Sequence, residues 1–145
     1  MSTLRVKLHR SPALTVRRTD VKKDRLVYLL VASKPQRYQY GHSRIVYIGT
    51  TRRGLRRIAA SAAQRADDVL GLHGVKHFDV RIVTCQGRQH VKTWHKLERA
   101  LLLRFREKYG RVPALNQRGA KMRETDEFRL FTRKRLDAVL ADVES

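Results

Sequence analysis

Two stretches of apolar residues near the start of the chain predict paired strands. Residues 25–32 read R-L-V-Y-L-L-V-A and are apolar throughout after the first residue, which is typical of a strand buried on both faces of a sheet. Residues 44–49 read R-I-V-Y-I-G, a β-branched and aromatic run that Gly49 ends. Residues 33–43 contain Pro35 and other turn formers. We expect them to form a loop too long for a tight hairpin, with the two strands as antiparallel neighbours.

Apolar residues at spacings of three and four predict three helices, over residues 52–70, 91–109 and 124–143. Between the first two helices, residues 78–83 alternate between apolar and polar side chains and predict a third strand. The resulting order is strand, strand, helix, strand, helix, helix. It predicts a small α/β protein of the α+β class, in which helices flank a three-stranded, mostly antiparallel sheet.

The N-terminal segment alternates only weakly between apolar and basic residues. Its apolar positions are Leu4, Val6, Leu8, Leu14 and Val16. This pattern is compatible with one or two short strands and equally with an extended basic arm along a phosphate backbone. Residues 1–24 are therefore assigned to an arm or short strands that precede the main domain.

The charge of the chain indicates that this small domain has a polyanionic partner. The 145 residues include 33 Lys and Arg but only 13 Asp and Glu, which gives a net charge of +20. Such an excess favours nucleic acid over a small acidic substrate. No apolar run approaches the roughly 20 residues that span a bilayer, and the N-terminus lacks an apolar signal core. We expect a soluble intracellular protein of the cytoplasm or nucleoid, with no membrane partner.

The single cysteine, Cys85, excludes an internal disulfide and lacks the neighbouring ligands of a zinc finger. It ends an apolar run and is interpreted as a small core residue.

Candidate chemistry lies on the strands and on the first two helices. Glu98 is at the edge of the apolar stripe of its helix, so we expect a half-buried carboxylate that is paired with an arginine or a metal ion. Tyr28 and Tyr47 occupy comparable places in two adjacent strands. Arg57 is on the helix after Gly49, where a guanidinium could clamp a phosphate.

The start of that helix is strongly basic, and three of its arginines are candidates for nucleic-acid binding. They are Arg52, Arg53 and Arg56. The alternative interpretation is an ordinary strand-turn-helix corner with solvated arginines.

Taken together, these positions resemble the GIY-YIG nuclease family. Residues 26–28 read L-V-Y and stand where the family has its first motif, with Leu and Val in place of Gly and Ile, while residues 47–49 read Y-I-G. Arg57, Glu98 and Asn116 follow in the family's order. The resemblance covers roughly residues 25–118, which are assigned to a GIY-YIG-like nuclease domain. The remaining residues 119–145 are assigned to an amphipathic helix packed on the same domain.

The resemblance implies a phosphodiester-cleaving site that uses one divalent cation, Mg²⁺ or Mn²⁺, bound by Glu98. It matches Tyr28 and Tyr47 to the motif tyrosines, Arg57 to the helical arginine and Asn116 to a late polar residue that supports the site. On this basis Tyr47 is expected to accept the proton of the attacking water, while Tyr28 orients that water. Arg57 is expected to stabilise the phosphoryl charge.

One position departs from the family's pattern. Many members place a histidine or another polar residue one helical turn after the arginine, and this chain has Ser61 there. Serine is a poor base near neutral pH, so His42 and His95 are considered as substitute bases.

Three functions therefore stay open at the level of sequence. The chain is interpreted as a DNA endonuclease, for which a homodimer is considered, or as a nucleic-acid-binding protein that has kept the fold and lost the chemistry. A basic ribosome-associated protein is the third, but the amphipathic C-terminal helix argues against the disordered tails that it predicts.

Overall fold

The computed structural model of the chain describes residues 3–13, 15, 17, 19 and 21–145. Three strands form one antiparallel sheet in the order β2-β1-β3, and helices pack on both of its faces. The predicted α+β fold, with a small three-stranded sheet flanked by helices, is confirmed. The elements are β1 (Leu26–Tyr38), β2 (Gly41–Thr51), α1 (Gly54–Leu70), β3 (Phe78–Val83), α2 (Thr93–Tyr109), α3 (Glu127–Leu130) and α4 (Arg133–Glu144).

The central strand β1 is buried on both faces, as its continuous apolar run predicts. One face of the sheet, with Val27 and Leu29, packs against the apolar stripes of α2 and α4. The other face, with Leu26 and Leu30, packs against Ile58 and the rest of the inner side of α1. The sheet therefore separates two apolar clusters, and β1 contributes to both of them.

The predicted loop over residues 33–43 is wrong, because the two strands continue through it to a tight hairpin. The pairing of β1 and β2 extends to Tyr38 and Gly41. Pro35 lies in the irregular stretch where the pairing with β2 lapses between Val31 and Gln36. A proline has no N–H to donate, so this gap in the ladder is where a strand tolerates one.

A β-bulge in β2 sets the direction of Tyr47. Leu30 pairs with Tyr47 and Val31 pairs with Ile45, so Val46 is an extra residue in β2. Because side chains alternate along a strand, Tyr47 would otherwise share the face of Ile45. The bulge instead places Tyr47 with Val46 on the α1 face, while Ile48 packs on the α2 face.

The prediction of one helix over residues 124–143 is also wrong. The short helix α3 ends before Phe131, which is extended, and α4 begins after Thr132. The Thr132 side chain accepts a hydrogen bond from the backbone N–H of Arg135, which is the N-cap arrangement that starts a new helix. Leu136 and Leu140 of α4 pack in the same cluster as α2.

The N-terminal residues that the structure describes contain no strand. Leu4, Val6 and Leu8 lie outside any helix or strand and are almost fully exposed, while Leu14 and Val16 lie outside the described residues. Within the described chain, no helix has the length and apolar character that a bilayer crossing requires.

Candidate active site

A cavity of about 600 Å³ opens at the β2 edge of the sheet, where α1, α2 and the segment after α2 meet. Strand β2 and helix α1 form one wall, α2 forms the second, and residues 116–122 form the third. The residues that line it are Tyr47, Ile48, Thr50, Arg65, His95, Glu98, Arg99, Leu102, Asn116, Gln117, Arg118 and Met122.

The two motif tyrosines are in contact beside this cavity. The ring centroids of Tyr28 and Tyr47 are 5.9 Å apart, and Tyr28 is buried behind Tyr47 with 5 % of its surface exposed. Gly49 pairs with Tyr28 across the ladder, and a Cβ at Gly49 would lie 2.7 Å from Tyr47 Cε1 and 2.8 Å from Tyr28 Cζ. Glycine is therefore required at this position by the close packing of the two rings.

The arginine at Tyr47 is Arg65, not the predicted Arg57. Arg65 Nη2 donates to the Tyr47 hydroxyl at 3.0 Å, and its guanidinium carbon is 3.8 Å from the centre of the Tyr47 ring. Arg57 is exposed on α1 and does not line the cavity. Among the described residues it has no hydrogen-bond or ion-pair partner through its side chain.

The carboxylate of Glu98 faces the cavity without a protein partner. In the described part of the chain, no hydrogen bond or salt bridge involves it. Burial raises the pKa of Glu98 to about 7, although the positive charge of Arg99 opposes this rise. The sequence predicts either an arginine or a metal ion as the partner of Glu98. Among the described residues, no arginine forms that pair.

The neighbouring Arg99 is engaged by a different carboxylate. Arg99 Nε donates to Glu127 Oε1 at 2.6 Å, and Arg99 Nη2 donates to the carbonyl of Arg123 at 2.7 Å. Glu127 is fully buried. Burial by itself would raise its pKa, but hydrogen bonds from Arg99 and from the Thr125 backbone lower the pKa of Glu127 to about 2. This arrangement leaves the Glu98 carboxylate facing the cavity.

The side chain of Asn116 is hydrogen-bonded to the backbone of β2. Its Oδ1 accepts from the Ile48 N–H at 3.0 Å, and its Nδ2 donates to the Ile48 carbonyl at 2.9 Å. The Leu115 N–H donates to the Val46 carbonyl at 2.9 Å. Asn116 thus behaves as one residue of an added strand, and it fixes the part of β2 that carries Tyr47.

The structure distinguishes between the candidate proton acceptors. Burial, with the hydroxyl of Tyr28 next, raises the pKa of Tyr47 despite the opposing charge of Arg65. Burial, with the charges of Lys92 and Arg52 next, lowers the pKa of His95. His95 is therefore neutral near pH 7 and can accept a proton, whereas Tyr47 remains a phenol.

The two other positions considered for the base lie away from the cavity lining. Ser61 is buried on α1, and His42 is exposed in the hairpin.

The basic start of α1 lies on the surface. Arg52, Arg53 and Arg56 are all exposed. Thr50, two residues before Arg52, lines the cavity, so this surface lies beside it. The salt bridges of the described chain lie between residues 96 and 137, so these three arginines are left to solvent.

The structure brings together Tyr47, Glu98 and Asn116, with Tyr28 packed behind Tyr47, and leaves Arg57 apart. Sequence reasoning missed Arg65, Gln117 and Arg118. The spacing of α1 offered one signal for Arg65, because Ile58, Ser61 and Arg65 follow one another at three and four residues.

A hydrated divalent cation fits this set of donors. Within the described residues, no group of three or more His, Cys, Asp or Glu side chains could hold a metal ion. Mg²⁺ keeps several of its waters and is commonly held by one or two carboxylates together with substrate phosphates. A single unpaired carboxylate in a cavity beside an arginine meets that description.

Comparisons with protein-family models, with curated proteins and with solved structures found no match to this chain.

Proposed function

We propose that the protein is a metal-dependent endonuclease that hydrolyses DNA phosphodiester bonds. The observation that carries this proposal is the unpaired carboxylate of Glu98, which faces the same cavity as the Tyr47–Arg65 pair. The resemblance to GIY-YIG nucleases supports it through Tyr28, Tyr47 and Gly49. The net charge of +20 supports a polyanionic substrate.

In this proposal Glu98 would hold Mg²⁺ or Mn²⁺, and the cation, when bound, would supply positive charge to the phosphate oxygens. Arg65 takes the role that the sequence assigned to Arg57 and stabilises the charge that develops on the phosphoryl group. Asn116 positions Tyr47 through the backbone of Ile48. Arg52, Arg53 and Arg56 attract the nucleic-acid backbone around the cavity.

His95 is the better proton acceptor of the cavity. A water attacks the phosphorus and His95 takes the proton of that water. The bond from phosphorus to the 3′ oxygen breaks, and the 3′ oxygen leaves as a hydroxyl after taking a proton from solvent. Tyr47 holds the water or a phosphoryl oxygen with its hydroxyl, because its raised pKa keeps it protonated near neutral pH. This assignment replaces the expected role of Tyr47 as the base.

The test is nicking of supercoiled plasmid by purified protein in the presence of Mg²⁺. We expect wild type to nick, and we expect Glu98→Gln and Arg65→Ala to lose at least roughly a hundredfold in rate. Glu107→Gln is the matched control for Glu98, because Glu107 is an exposed carboxylate on the same helix. Arg57→Ala is the matched control for Arg65 on α1.

Equal rates for wild type and Glu98→Gln would contradict the proposed chemistry. If Arg57→Ala is inactive while Arg65→Ala is active, the assignment of the arginine is wrong. Loss of the acidic limb of the pH–rate profile in His95→Gln, with residual activity at alkaline pH, is the expected signature of the base.

The second candidate function is nucleic-acid binding without cleavage. It is favoured by the raised pKa of Tyr47 and by the burial of Ser61. In that case wild type binds DNA with strong salt dependence but shows no nicking with either Mg²⁺ or Mn²⁺.

A further inference from the structure

The candidate active site is larger than a phosphodiester group requires. Its volume of about 600 Å³ corresponds to that of roughly 20 water molecules in the liquid. It lies within the range of pockets that enclose a ligand with a ring system. Space therefore remains beyond the phosphate that Glu98 and Arg65 are proposed to receive.

The two ends of the cavity differ in chemistry. His95, Glu98 and Leu102 recur at three and four residues on one side of α2, so this wall is on the order of 10 Å long. It begins with titratable side chains and ends at Leu102. Leu102 Cδ1 and Met122 Cε both lie within 4 Å of the Cβ position at Gly119. The end beside Leu102 and Met122 is therefore apolar, and Gln117 contributes an amide to the cavity lining.

The third wall of the cavity is held in place by arginines of α2. Arg106 donates to the carbonyls of Gly119 at 2.8 Å, Ala120 at 3.1 Å and Met122 at 2.7 Å. Arg99 adds the carbonyl of Arg123 at 2.7 Å. Residues 119–123 form neither helix nor strand, but hydrogen bonds at four of their carbonyls fix their backbone. This wall of the cavity is therefore preformed, as is usual in pockets that bind small ligands.

We propose that this cavity receives one unstacked nucleotide next to the scissile phosphate. A nucleotide has the same polarity as the cavity, with its phosphate at one end and the flat face of its base at the other. Leu102 and Met122 contact the base, and the Gln117 amide, which both donates and accepts hydrogen bonds, meets its edge. This inference rests on the proposed function.

The consequence concerns the class of substrate. A base inside a fully paired duplex is stacked and must be extruded, and that cost is smallest where the nucleotide is already unpaired. The protein therefore prefers DNA with an unpaired nucleotide over a continuous duplex.

The experiment measures binding rather than cleavage. Fluorescein-labelled DNA duplexes, with and without one central unpaired nucleotide, are titrated with the full chain in EDTA and followed by anisotropy. We expect the unpaired duplex to bind at least roughly tenfold more tightly. Equal affinities for the two duplexes would overturn the inference.

Two variants locate the preference in the cavity. Met122→Phe fills the apolar end, so the ratio of affinities falls to about 1 while the affinity for the paired duplex is retained. Lys121→Phe adds the same ring at the exposed neighbouring position and keeps the wild-type ratio. A ratio unchanged in Met122→Phe, with thermal unfolding showing that both variants fold, would overturn the inference.

Failure of this inference can be told apart from failure of the proposed function. Preference for the unpaired duplex without nicking in Mg²⁺ supports the nucleotide pocket and rejects the chemistry. Nicking that depends on Glu98, with equal affinity for both duplexes, rejects the pocket and supports the chemistry.

Discussion

Gly49 shows how one residue couples the fold to the candidate site. A Cβ at this position would lie within 3 Å of ring atoms of both Tyr28 and Tyr47, and Tyr28 is too deeply buried to move aside. We predict that Gly49→Ala lowers the free energy of unfolding by about 1–3 kcal/mol. Urea denaturation measures this change.

Gly87→Ala is the control for that substitution, because no neighbouring atom lies within 4 Å of a Cβ placed there. We expect it to change the free energy of unfolding by less than about 0.5 kcal/mol. Equal effects of the two variants would contradict the packing argument.

The ionisation of Glu98 has a consequence for stability. Its pKa of about 7 in the folded chain is above its ordinary value of 4.5, so the folded state binds the proton more tightly than the unfolded state. The contribution of Glu98 to wild-type stability therefore falls as the pH rises from about 4.5 to about 7. We predict that Glu98→Gln is more stable than wild type at about pH 8 by roughly 1–3 kcal/mol and similar to it below pH 4.5.

Thermal unfolding in EDTA across this pH range tests that prediction, with Asp68→Asn as the control, because Asp68 is an exposed carboxylate. When Mg²⁺ replaces EDTA, we expect the stability of wild type to rise at the alkaline end of the range and that of Glu98→Gln to stay unchanged. A variant that is no more stable than wild type at alkaline pH would show that Glu98 is not desolvated.

At the residue scale, sequence reasoning succeeds where a local pattern carries the information. The edge position of Glu98 on its helix stripe predicts partial burial, and the structure confirms it. The role of Asn116 was less accessible, because its hydrogen bonds join residues 68 apart in sequence.

At the scale of elements, the choice between Arg57 and Arg65 follows from distances along β2 and α1. Tyr47 lies four residues before the end of β2, which is ~13 Å of strand. Helix α1 runs back along the sheet from Gly54, so Arg57 is ~5 Å and Arg65 ~16 Å from its start. Arg65 is therefore level with Tyr47.

The bulge in β2 could not be predicted in the same way. Residues 45–48 are all apolar or aromatic, so their pattern does not show which side chain shares a face with its neighbour. The extension of the hairpin through Pro35 was missed for a related reason. Proline signals a turn in most sequences, and only the lapse in pairing between the strands accommodates it here.

The break between α3 and α4 leads to a prediction for Thr132. Its side chain caps α4 through the Arg135 N–H at 3.2 Å. We predict that Thr132→Ala lowers the free energy of unfolding by about 1 kcal/mol, while Thr132→Ser keeps most of the stability. Urea denaturation of both variants tests this, and an equal loss in the two would mean that the cap contributes little.

For the whole molecule, positive charge is distributed unevenly. The first 60 residues hold 15 of the 33 Lys and Arg residues but only 2 of the 13 Asp and Glu residues. The ion pairs of the described chain lie instead between residues 96 and 137. The exposed arginines at the start of α1 are thus available to a polyanion, while many of the cations on α2 and α4 support the fold.

We predict that replacing Arg52, Arg53 and Arg56 together by alanine weakens DNA binding and flattens its salt dependence. Each lost phosphate contact reduces the slope of log K against log salt by about 0.9, so the slope should fall by about 2–3. The matched control replaces Arg129, Lys134 and Arg135, which are exposed on α3 and α4. An equal fall in both triple variants would show that only net charge matters.

The hydrogen bonds that join residues 115 and 116 to β2 also limit how copies of this chain can associate. An edge strand with free N–H and C=O groups is a template for pairing with a strand of another molecule. Here the carbonyl of Val46 and both the N–H and the carbonyl of Ile48 are already engaged by Leu115 and Asn116. A second copy could not extend the sheet at this edge without displacing the residues that fix Tyr47, so self-association by that route and an intact site exclude each other.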